Sequence, residues 1–229
     1  MLDSLAWLGL ESKDLDRART FYAEHLDLAV REATGSSIAF AAGDVDFVVR
    51  RPTDVPRGGV HTHYAFSIPT EEYDDWWDRL DGRFDLEEHR FGSVRSLYLY
   101  DPDGHCVELG QRDVAGPGID GIFEIVLEVA DLERATAFYR DLGFSVMDRG
   151  DDRRRVRLTG PVALELWEPQ LGLANARGGV HVDVGFTASD PDAAVDAVAD
   201  RVQSVESVEG GRRFRDPDGH VVTVRRPES

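Results

Sequence analysis

Short runs in which apolar and polar residues alternate recur along the chain, separated by stretches with helical spacing. Leu5–Leu10 reads as a strand, and Asp14 is a good N-cap for an amphipathic helix with Leu15, Ala18, Phe21 and Tyr22 on its apolar side. Ser37–Ala41 and Val45–Val49 read as further strands, the second ending before Pro52. Thr62–Ile68 alternates again, and Thr70 is expected to cap a helix carrying Tyr73, Trp76, Trp77 and Leu80. Val94–Tyr100 and Cys106–Leu109 follow as strands around a DPDG turn, where proline presets one φ and glycine accepts a positive one. The Trp76–Trp77 pair and the Phe-Tyr pairs fall at helical spacing and are assigned to the core.

The pattern repeats. Asp14-Leu-Asp-Arg-Ala-Arg-Thr-Phe-Tyr22 returns as Asp131-Leu-Glu-Arg-Ala-Thr-Ala-Phe-Tyr139, GGVH at 58–61 returns at 178–181, and DPDGH at 101–105 returns at 216–220. Three matches in one order at nearly equal offsets make the chain two tandem halves, 1–113 and 119–229, joined by the linker Val114-Ala-Gly-Pro-Gly118. Each half divides again into strand–helix–three strands, so the unit is used four times, near 1–52, 58–112, 119–169 and 178–228. The expected class is α+β.

Composition narrows the setting. Of 229 residues, 44 are acidic and 26 basic, a net charge of −18, and Lys13 is the single lysine. A surface this acidic repels nucleic acid and anionic membranes, and no apolar run reaches the length of a membrane span. Because the acids are spread along the chain, adaptation to high salt explains them better than a cationic partner. The N-terminus lacks a basic start, a long apolar centre and a cleavage site, and Cys106 is the lone cysteine, so a cytoplasmic, reducing location is expected.

Four βαβββ modules, the DL-x-x-A-x-x-FY helix start and the DPDG-H-x-V-E-L ending resemble the vicinal oxygen chelate superfamily, which includes glyoxalase I, extradiol dioxygenases and bleomycin- or fosfomycin-resistance proteins. The resemblance covers essentially the full length. It implies paired modules curled into open, cup-shaped mixed sheets, with a metal held by residues of the first and last strands of each module. It also implies that the second module pairs with the third and the first with the fourth.

Aligning the repeats puts Trp7, His63, Glu124 and Asp183 at the first-strand position, and Val48, Glu108, Glu165 and Thr223 at the last-strand position. With the pairing the resemblance implies, one cup receives His63, Glu108, Glu124 and Glu165, and the other receives no metal set. Three carboxylates and an imidazole suit Mn²⁺, Fe²⁺, Ni²⁺, Zn²⁺ or Mg²⁺. Glu124 and Glu165 could also face solvent on an open sheet; the inward reading is preferred because two repeat alignments place them independently. His61 and His181 are one position of the GGVH repeat, present in the cup without ligands too, and are assigned structural roles, while His105 and His220 after the turn are expected at the surface.

The resemblance implies a small-molecule substrate with vicinal oxygens. Lyase or isomerase chemistry through a metal-stabilised enediolate, with Glu124 or Glu165 as base, is preferred. The competing reading is a catechol-2,3-dioxygenase-like enzyme with iron on two histidines and one glutamate, but Glu124 stands where the second histidine is needed. A non-catalytic binding or resistance protein is the third reading. Monomer and homodimer both remain open.

Overall fold

The computed structural model describes residues 1–52, 59, 61–150, 154–169 and 181–227. The first module comprises β1 (Ser4–Glu11), α1 (Leu15–Arg19, continued by a wider helical turn Thr20–His25), β2 (Ala29–Ala33), β3 (Ser37–Ala42) and β4 (Val45–Arg50). The second has β5 (His61–Pro69), α2 (Tyr73–Leu80), β6 (Glu87–Phe91), β7 (Val94–Tyr100) and β8 (Cys106–Arg112). The third has β9 (Gly121–Glu128), α3 (Leu132–Asp141), β10 (Ser145–Arg149), β11 (Arg155–Thr159) and β12 (Ala163–Trp167). The fourth has β13 (His181–Thr187), α4 (Pro191–Asp196), β14 (Ser204–Val208), β15 (Gly211–Arg215) and β16 (Val221–Arg225).

Two eight-stranded mixed sheets result. One runs β14-β15-β16-β13-β1-β4-β3-β2 and joins the first and fourth modules; the other runs β10-β11-β12-β9-β5-β8-β7-β6 and joins the second and third. The seams are antiparallel, β1 against β13 and β5 against β9. Each sheet therefore takes one module from each half. β2, β6, β10 and β14 close the four outer edges, and their side chains are mostly exposed, which is why their hydrophobic alternation is faint.

The repeated motifs stitch the sheets together. Asp14 and Asp131 cap their helices through backbone amides, as expected. The hydroxyl of Tyr22 on α1 donates to Asp101 in the DPDG turn (2.7 Å) and lies 2.7 Å from Tyr64 Oη. Tyr139 donates in the same way to Asp216 at 2.9 Å. Asp101 Oδ1 also accepts from the amides of Asp103 and His105, and Asp216 Oδ1 from those of Asp218 and His220. A buried carboxylate with this many donors satisfies its lone pairs, so the Phe-Tyr and DPDGH repeats are two ends of one buried contact.

His105 and His220 correct the expectation of exposure. Both are buried, and each Nε2 donates to a backbone carbonyl of the neighbouring module, Glu11 at 3.0 Å and Glu128 at 2.9 Å. His61 is buried beside His105, the two rings stacked with centroids 5.2 Å apart. Its Nε2 lies 3.3 Å from His105 Nδ1, in keeping with a structural role. The side chain of His181 and most of the GGVH repeats lie outside the described residues. Thr70 also differs from expectation: it opens a short 3₁₀ turn before α2, and its hydroxyl bonds the Arg112 carbonyl instead of capping the helix. Phe21, Tyr22, Tyr73, Trp76, Phe138 and Tyr139 are core, while Trp77 packs at its edge. Among the described residues no helix is long and apolar enough to cross a membrane.

Candidate metal centre

Strand register, not sequence proximity, assembles the site. β5 lies at the centre of its sheet, parallel to β8 and antiparallel to β9. Ala65 faces Glu108 across the first pair and Glu124 across the second. Residues two apart on a strand share a face, so His63 projects from the same face of β5 as Ala65. His63 Nε2 lies 3.2 Å from Glu108 Oε2 and 3.8 Å from Glu124 Oε1. One ligand atom from each of the three residues falls within 4.8 Å of the others, and all three residues are buried.

Glu165 occupies the register position equivalent to Glu108. It pairs with Val126, two residues beyond Glu124, as Glu108 pairs with Ala65, two beyond His63. Yet its side chain stays outside the three-residue group. Trp167 Nε1 donates to one carboxylate oxygen at 2.7 Å, and Arg155 donates to the other at 3.2 Å. The four expected ligands thus enter one cup of about 270 Å³, three converging and one held beside them.

The surroundings tune each group. Tyr98 on β7 donates to Glu108 Oε2 at 2.6 Å, and Arg157 on β11 reaches Glu124 Oε2 at 2.5 Å. Burial works against the charge on His63, but hydrogen bonds to Glu108 and Glu124 and their charges outweigh it, lifting its pKa to about 9. Burial likewise disfavours the Glu108 carboxylate, and His63 and Tyr98 overcompensate, holding it below the usual range. Glu165 moves the other way: burial and the nearby Glu124 raise it, against Trp167, Arg155 and Arg157. Burial and Glu108 push the Cys106 thiol up to about 12, so the lone cysteine is unreactive at neutral pH.

The donor set fits a divalent cation. Two carboxylates and an imidazole are hard or borderline donors, and a dication would replace the His63 proton as the charge that reconciles two buried carboxylates. The remaining His63 nitrogen, Nδ1, is buried without a hydrogen-bond partner among the described residues, so the ring is oriented by packing between Tyr98 and Trp167. Tyr98, Arg157 and Trp167 were not singled out from sequence. Tyr98 and Trp167 sit at alternate positions of strands already recognised, but only the strand pairing shows which face they share.

The other sheet holds no such group among the described residues. Thr223 donates to Asp183 at 2.8 Å, Arg213 donates to Thr223 at 3.0 Å, and Arg213 also reaches Asp183 at 3.4 Å. The two polar side chains at the ligand positions are spent on each other and on an arginine.

Comparison with known proteins agrees with this architecture. Residues 4–109 match the Glyoxalase/Bleomycin resistance protein/Dioxygenase superfamily, and residues 124–225 match a glyoxalase-like domain. The chain is similar to metallothiol transferase FosB of Staphylococcus saprophyticus, 28% identical over 116 residues, spanning 48% of this chain and 77% of FosB. It is similar to glutathione transferase FosA of Serratia marcescens, 30% identical over 114 residues, spanning 48% of this chain and 81% of FosA. Glyoxalase I of Zea mays superposes over 97% of this chain and 92% of its own, with a TM-score of 0.70 at 19% identity, a likeness of fold.

Proposed function

The chain belongs to the glyoxalase/bleomycin resistance protein/dioxygenase superfamily, the vicinal oxygen chelate group, and we propose that it is a metal-dependent lyase or isomerase acting on a small substrate with adjacent oxygens. The observation that carries this reading is the split in its acidic set. His63, Glu108 and Glu124 converge as ligands of a divalent ion, while Glu165 stands beside them, buried and unengaged by that group. Such an ion supplies Lewis-acid stabilisation of charge developing on a substrate oxygen. Glu165 is the general base. Its raised pKa brings proton affinity closer to neutral pH, and Trp167 and Arg155 fix its carboxylate while each oxygen keeps a lone pair for a carbon-bound proton. Tyr98 and Arg157 orient Glu108 and Glu124.

A direct contest tests the proposal. Purified chain loaded with Ni²⁺ or Zn²⁺ should convert methylglyoxal plus glutathione to a thioester, and catechol with Fe²⁺ and oxygen should remain intact. Ring cleavage would replace the reading with a dioxygenase, and absence of any bindable divalent ion would leave a small-molecule binding protein. A second reading, thiol transfer, is favoured by the likeness to FosA and FosB, both transferases by name. It is distinguished by supplying the thiol with an epoxide, whose ring opening forms a carbon–sulfur bond as the carbon–oxygen bond breaks, giving a thioether alcohol in place of a thioester.

A further inference from the structure

The cup of the other sheet has been rebuilt, not merely stripped. Because Glu124 pairs with Ala163 and Trp7 with Asp46, Arg50 stands where Trp167 stands in the metal cup. Because Tyr98 pairs with Glu108 and Arg213 with Thr223, Arg213 stands where Tyr98 does, and Arg225 where Gly110 does. Three guanidinium groups therefore replace two aromatic rings and a glycine on one concave face. They line a cavity of about 250 Å³ together with Trp7.

The metal cup also holds three arginines, Arg112, Arg155 and Arg157, but two of them are paired there with Glu165 and Glu124. Exposed Glu32 and half-buried Asp46 also line the Trp7 cavity, and buried Asp183 is already shared with Arg213 and Thr223. Asp46 at the rim is paired with Arg31 at 2.6 Å. Among the described residues Arg50 has no ion pair, and Arg225 keeps a buried Nε without a hydrogen-bond partner. Burial, together with Arg213 and Arg225, lowers the Arg50 pKa against the pull of Asp183, so the three cations strain one another. The cavity also has an apolar wall: Arg225 stacks at 5.0 Å over the Trp7 ring, and the ring fits because residue 185 is glycine, whose Cβ would otherwise meet the indole.

We propose that this second cup binds a small organic oxyanion, a phosphate monoester or a carboxylate, with its charge among Arg50, Arg213 and Arg225 and its flat part against Trp7. Guanidinium groups present forked donors suited to both anions, and Arg50 and Arg225, which have no ion pair among the described residues, would supply them. The site is separate from the metal centre and does not depend on the proposed reaction.

Isothermal titration of the full chain at low ionic strength, with phenyl phosphate and benzoate as probes, tests it. Saturable one-site binding of phenyl phosphate is expected, equal in wild type and in His63→Ala, and weakening as NaCl rises. Arg50→Gln should weaken it by about tenfold or more, with partial recovery in Arg50→Lys. Unchanged metal content and melting of Arg50→Gln would show an intact fold; Arg225→Gln is the alternate variant should Arg50→Gln misfold. Tighter binding of phenyl phosphate assigns a phosphate ligand, and tighter benzoate a carboxylate, either supporting the site. Absence of saturable binding by both probes, equal affinity in wild type and the glutamine variants, or loss of binding in His63→Ala would overturn it.

Discussion

In the cup of the middle modules, His63, Glu108 and Glu124 meet at the strand centres; in the cup of the outer modules, the same register positions hold Asp183, Thr223 and Trp7. The backbone frame is shared. Both sheets have an antiparallel seam flanked by parallel pairs, and the same tyrosine–aspartate contacts tie module one to two and module three to four. Both cups hold three arginines, and the difference lies in the carboxylates: in one, Glu108 and Glu124 converge with His63; in the other, Asp183 is bound by Thr223 and Arg213, and Arg50 and Arg225 form no ion pair among the described residues. A tandem repeat thus keeps its fold through buried contacts on one side of each sheet and is free to exchange its chemistry on the other. Few side chains are needed, because on a strand every second residue already faces the cup.

The comparison can be broken most severely at His63. Replacing it with alanine should abolish stoichiometric metal retention, measured by elemental analysis after dialysis, while Arg50→Gln leaves metal content unchanged. Equal metal content in wild type and His63→Ala would place the ion elsewhere. Next in size is Glu165→Gln. As the base, it should cost about 10²- to 10⁴-fold in turnover while the metal stays bound; parallel loss of metal would make Glu165 a ligand after all.

Tyr98→Phe removes one hydrogen bond to Glu108 and should weaken metal affinity by about 10- to 100-fold, read by competition with a chelating dye. The smallest expected effect lies in the other cup. Burial raises the Asp183 pKa despite Thr223 and Arg213, so its stabilising contribution is present below the unfolded-state pKa and lost as pH rises through the folded value. Wild type should accordingly gain stability relative to Asp183→Asn as pH falls from neutral towards the carboxylate range, measured by chemical denaturation. The opposite slope would mean that the arginines hold Asp183 ionised.

Much of this was legible in the residues. The inner strands, the helices capped by Asp14 and Asp131, and the placing of His63, Glu108, Glu124 and Glu165 in a single cup all follow from repeat alignment and family resemblance. The outer edge strands were faint because exposed side chains leave little hydrophobic signal. His105 and His220 looked like surface turn residues because nothing local announces that their rings will meet a carbonyl of another module.

The chain's own pattern therefore determined the modular count and most element types, since periodicity and turn chemistry are local, while the face of Glu124 and Glu165 was only a preference. Only the tertiary structure decided that three acidic or imidazole groups converge while Glu165 is drawn to Trp167 and Arg155, and that Arg50, Arg213 and Arg225 share one cavity. Those outcomes depend on which strands pair and in what register, and on competition among side chains far apart in sequence. A one-dimensional pattern carries neither.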